Sequence, residues 1–70
     1  MWFNVKDDET VDAIKKVFDN NNVVYNYNRY KDFSINVDQK MIQTKISLFQ
    51  DITRIRYKEN VAEDEQILEN

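Results

Sequence analysis

Apolar positions recur along this chain with two different periods, and each change of period marks an element. Residues 2–5, WFNV, are bulky and predict a short opening strand. The period then lengthens. Val11, Ile14 and Phe18 recur at helical spacing, with Ala13 and Val17 beside them and Asp12, Lys15, Lys16 and Asp19 mostly opposite. Asp7 or Asp8 supplies a cap, and the acids of the first turn suit the positive end of the helix dipole. The triplet NNN at 20–22 predicts the stop, because Asn tolerates the left-handed backbone that Gly supplies elsewhere and this chain has no Gly.

Period two follows. In VVYNYNRY, residues 23–30, Val23, Tyr25 and Tyr27 alternate with Val24, Asn26, Asn28 and Tyr30. Lys31–Asp32 forms a turn, and FSINV (33–37) alternates again, predicting a hairpin. DQKMIQTKISLFQD (38–51) fits either period. Its length favours a helix capped by Asp38, with Met41, Ile42, Ile46, Phe49 and Ile52 on one broad face. ITRIRYK (52–58) alternates and predicts a last strand, with Thr53, Ile55 and Tyr57 on one face and Arg54, Arg56 and Lys58 on the other.

The resulting order is strand, helix, strand, strand, helix, strand, the pattern of a small α+β ferredoxin-like βαββαβ sandwich. The alternative is one helix packed on an antiparallel meander, should 38–51 be two strands. In the first arrangement the buried sheet face collects Phe3, Val5, Val23, Tyr25, Tyr27, Phe33, Ile35, Val37, Ile55 and Tyr57. The open face collects Trp2, Asn4, Asn26, Asn28, Tyr30, Ser34, Asn36 and the three cations. Residues 1–58 make a single domain, and 59–70 an acidic tail, flexible or a frayed helix.

Composition narrows the chemistry. Seventy residues make at most one small, marginally stable domain. There is no Cys and no His, so no disulfide, thiolate nucleophile or imidazole base is available, and no metal or other cofactor is expected. Without Gly a deep catalytic pocket is hard to shape, and the chain reads as a non-enzyme. With no covalent or metal staple, self-association is the expected remedy for so small a core, as a two-fold homo-oligomer. The opening MWFNVKDDE lacks the basic and apolar runs of a signal peptide, and no segment is long and apolar enough for a membrane span. A cytoplasmic location without membrane contact is the expectation.

The formal charge of −3 conceals a segregation: residues 1–22 carry −2, 23–58 carry +4 and 59–70 carry −5. Residue types with AT-rich codons (Phe, Tyr, Met, Ile, Asn, Lys) make up 33 of the 70, against five for Gly, Ala, Arg and Pro. That skew suggests a low-GC genome and a phage- or mobile-element-encoded protein. The leading reading is a small binding protein that inhibits or modulates a host protein, a nucleic-acid enzyme among the candidates. Its anchors are Trp2, Tyr30, Arg54, Arg56 and Lys58, since Trp, Tyr and Arg dominate interface hot spots. The alternative is an RNA- or single-strand-binding module, with the cations tracking phosphates and Trp2 or Tyr30 stacking on bases. Against both stands the plain account of Arg54, Arg56 and Lys58 as a solvated face that guards an edge strand.

Overall fold

A computed structural model describes the backbone of residues 1–69 and the side chains through Val61. The chain is a small α+β protein with a three-stranded antiparallel sheet and three helices. The order is β1 (Trp2–Asn4), α1 (Asp8–Asn20), β2 (Asn26–Tyr27), β3 (Asp32–Ser34), α2 (Gln39–Thr44) and α3 (Ile46–Glu69). β3 is the central strand, flanked by β1 and β2. Neither the βαββαβ sandwich nor the one-helix meander is formed.

The first half follows its residue pattern in β1 and α1, but the hairpin is shorter and turns earlier than expected: β2 keeps only Asn26–Tyr27, and Asp32, expected in the turn, opens β3. Asp7 caps α1, accepting from the Glu9 amide, and Val11, Ile14 and Phe18 are buried. The helix ends at the asparagines: Asn22 takes φ 57°, and the Asn21 side-chain amide donates to the Val17 carbonyl at 2.7 Å. Asn28 then builds the hairpin turn. Its Oδ1 accepts from the Tyr30 and Asp32 amides at 2.9 and 3.1 Å, which satisfies donors the tight turn leaves free. Lys31 adopts φ 66° there, and its ammonium reaches the Lys6 carbonyl at 3.1 Å and Asp8 at 3.2 Å.

β1 pairs with β3 in the register Trp2–Ser34, Phe3–Phe33, Asn4–Asp32. Met1 and Ile35 exchange backbone hydrogen bonds beyond it, at 2.8 and 2.9 Å. Phe3 and Phe33 stack at 5.4 Å on the side facing α1, where Phe18 lies 5.8 Å from Phe33. These rings join Val5, Val11, Ile14, Ile35, Leu48 and Ile52 in one core. Tyr25 packs on Phe18, and desolvation, followed by the charge of Asp19, pushes its phenol above the ordinary value.

The second half departs from its pattern. Asp38 does cap a helix, accepting from the Met41 amide at 2.7 Å, but α2 breaks at Lys45 (φ −122°, ψ 40°). Thr44 turns its hydroxyl back onto the Lys40 carbonyl, and the Lys45 ammonium is held by the Asn21 carbonyl at 2.7 Å. Both contacts fix the bend. A new helix then starts at Ile46 and runs straight through the segment read as a strand. Leu48 and Ile52 are the reason: four apart, they reach one core face on a helix, with Ile55 half-buried a turn on. Neither Gly nor Pro interrupts 46–69, and most of 54–69 are good helix formers. Of the residues assigned to the buried sheet face, Tyr57 is therefore misplaced, at 68 % exposed. Tyr27 lies at the rim beside Phe33, with the Lys15 ammonium 4.1 Å over its ring.

The acidic segment 59–70 continues α3 in its backbone as far as Glu69. The side chains of 62–70 lie outside the described residues, as does the reading of that segment as flexible or frayed. Among the described residues no helix is long and apolar enough to cross a membrane.

Candidate functional site

The bend at Lys45 leaves an apolar groove on the outer side of α3. α2 contributes Ile42 to it. α3 contributes Ile46, Thr53 and Tyr57, which recur at helical spacing on a face turned away from Leu48 and Ile52, together with the half-buried Phe49, which also packs against the core. Met1, held to Ile35 at the end of β1, and Val37 close the side nearest the sheet. The groove encloses about 720 Å³. Ile42, Ile46 and Tyr57 are each more than half exposed. Isolated exposed apolar side chains need no explanation, but a contiguous set lining one groove is the mark of an interaction surface.

Arg54 lines the same groove, and its guanidinium lies 3.5 Å from Asp51 one turn back. The pair is solvated on both sides, so it holds the guanidinium weakly and leaves it able to meet an arriving carboxylate.

The other expected anchors are scattered. On a helix each step turns about 100°, so residues two apart point nearly opposite ways rather than together. The row Arg54, Arg56, Lys58 expected on one strand face does not exist. Arg56 turns inward and places its guanidinium carbon 4.6 Å over the Phe3 ring, where it roofs the core. Lys58 projects toward a smaller cleft between α1 and α3. Trp2 stands on the open face of the sheet opposite Ser34, two-thirds exposed. Tyr30 sits at the hairpin tip, where Arg29 donates to its hydroxyl at 2.7 Å. The groove thus brings in one of the five, Arg54, and adds Met1, Ile42, Ile46, Phe49 and Tyr57. The signal for Ile42, Ile46 and Phe49 was present in the sequence: with Met41 and Ile52 they make an apolar face too broad for one small core.

Glu59 bears on the site by fixing where α3 lies. Its two carboxylate oxygens accept from the Lys6 amide at 3.1 Å and the Asp7 amide at 3.2 Å, just before α1 begins. The negative charge also suits the α1 N-terminus. Glu59→Ala is expected to lower stability by about 1 kcal/mol, as charge-assisted bonds to partly solvated amides are lost. The midpoint should fall by roughly 4–8 °C in a thermal melt, and an unchanged midpoint would show that α3 does not lean on this clasp.

Among the described residues no three metal-ligating side chains converge. No family model matches the chain, and no similarity to a curated protein or to a solved structure reaches significance.

Proposed function

We propose that this chain is a small non-enzymatic protein, phage- or mobile-element-encoded, that inhibits or modulates a host protein by direct contact through the groove along α3. One observation carries the reading. A domain of this size leaves Met1, Ile42, Ile46 and Tyr57 exposed in one open groove, which the half-buried Phe49 also lines, instead of burying them. Retaining that apolar surface is costly in solubility, and the cost makes sense where a partner covers it. The groove runs along a helix and has a cation at its edge. Its occupant is accordingly an amphipathic helix whose apolar side chains fill it and whose flanking carboxylate meets Arg54. The absence of Cys and His adds support, since it leaves few catalytic schemes open. The RNA reading drew on a row of cations on an open sheet face. Among the described residues the strands bring no Arg or Lys to that face, which carries Trp2, Asn4, Asn26, Asp32 and Ser34. The protein-contact reading is therefore preferred.

The test is capture from the encoding cells with tagged full-length protein and with Ile46→Glu, both treated with nuclease. The expected result is a specific protein band retained by the parent and lost with Ile46→Glu, while the variant keeps its circular-dichroism spectrum. Capture equal in the two proteins would sink the groove as the contact surface. Nucleic acid that co-purifies and is lost with Arg54→Ala would favour the RNA module instead.

A further inference from the structure

We infer that in the free protein the groove is covered by a second copy of this chain, with the two α3 helices antiparallel and each groove taking its partner's acidic half. The inference rests on the groove being a protein-contact surface, and it names the occupant that keeps it covered until another partner competes.

Three observations converge on it. First, α3 has two apolar stripes. Leu48 and Ile52 are spent on the core and the half-buried Phe49 packs against it, whereas Ile46 and Tyr57 face away. In the sequence the outer spacing does not end with the groove: positions 61 and 68, Val and Leu, follow 46, 50, 53 and 57 at intervals of three, four or seven. A helix apolar on two sides needs a second element against it.

Second, the charge on α3 runs the wrong way for a helix standing alone. Residues 46–58 carry +2 and 59–69 carry −5, and no basic residue lies in the last turn. Acids at a helix C-terminus oppose the macrodipole. An antiparallel neighbour reverses the disadvantage, because it lays the basic half of one helix beside the acidic half of the other. A parallel neighbour would stack acid on acid. The groove therefore asks for an acidic helical segment with apolar residues at the right spacing, and in the sequence 59–69 carries Val61, Ile67 and Leu68 among five acids.

Third, α3 is long for the body that holds it. Twenty-four residues span roughly 36 Å. The longest dimension of the chain is 44 Å against 25 and 18 Å for the others. An isologous pair along such a helix gives a small domain the burial that it lacks alone.

The experiment is sedimentation of the full-length chain at micromolar concentration, in low and high salt, beside Tyr57→Glu. The expected result is a dimer that salt weakens, because opposed charges face each other, and a folded monomer for Tyr57→Glu. Should Tyr57→Glu fail to fold by circular dichroism, Ile42→Ser on α2 reads the same surface and is expected to be monomeric. Because the chain has no Cys, a spin label at Ser47→Cys reports orientation without background. Antiparallel helices hold two such labels about 25–35 Å apart, close to the helix length, whereas parallel helices bring them together. A parent protein that stays monomeric overturns the inference. So does a dimer that survives both substitutions, or one whose labels lie close together. Those failures leave the host-contact reading standing, since that reading fails only when groove substitutions leave capture intact.

Discussion

Phe33→Ala is expected to abolish cooperative folding. Phe33 is fully buried on the central strand, and its ring lies within 6 Å of four others: Phe3, Phe18, Tyr25 and Tyr27. Truncation removes the ring that ties both edge strands to α1. Such a change in a core costs about 3–5 kcal/mol, the lost transfer energy plus the cavity left behind. A chain of this length has roughly 4–10 kcal/mol in total, and small domains sit toward the lower end. The loss is therefore comparable with the whole stability of the fold. Urea titration followed by circular dichroism should show a shallow, drifting transition or none at 37 °C. A sharp transition at the parental midpoint would mean that the aromatic cluster is not the centre of this core.

That cluster was legible from the chain, and the reason is local. WFNV, the 11–14–18 spacing and the alternation about Phe33 each sit between strong punctuation. Asp7 caps α1 and the asparagines at 20–22 end it, whereas the hairpin turn expected at Lys31–Asp32 lies at 28–31, closed by the Asn28 side chain, with Asp32 already in β3. Where punctuation fails, so does the reading. Nothing between Ile46 and Glu69 says where one element stops, because the usual breakers are missing from the entire chain. The alternation Arg54, Arg56, Lys58 is then a coincidence of composition: a period of two in polar residues has no force unless the apolar ones share it. Ile55 and Tyr57 share it over a single step, and Ile52 breaks it. Leu48, Ile52 and Ile55 keep helical intervals into the core, and Tyr57 falls in phase with Ile46. The groove was hidden for the same reason. A face read as one broad core stripe is two stripes: the helix that restarts at Ile46, after the bend at Lys45, turns Leu48 and Ile52 inward and leaves Ile46 and Tyr57 in water. No sequence rule gives that bend, since it depends on Lys45 reaching the carbonyl of Asn21, 24 residues away.

The same helix supplies the second large effect. Ile52→Asp is expected to unfold the protein, whereas Tyr57→Asp leaves the dilute chain folded with a midpoint close to the parent's. Ile52 is 1 % exposed and surrounded by apolar side chains, so an aspartate there has no cation or donor to meet its charge. An uncompensated carboxylate in a core costs several kcal/mol, on top of the packing lost with the isoleucine. Tyr57 is 68 % exposed on the groove side, and substitutions at such positions usually change stability by about 0.5 kcal/mol or less. The contrast tests the conformation of the segment and not merely the burial of two residues. In a strand, residue 52 would share its face with Arg54, Arg56 and Lys58 and lie toward solvent, while Tyr57 would sit with Ile55 in the core. The order of the two effects would then reverse. Thermal melts of the two variants, run dilute enough that self-association contributes nothing to the midpoint, therefore distinguish helix from strand directly. An intact Ile52→Asp protein together with an unfolded Tyr57→Asp protein would return the cations to a strand face and remove the groove.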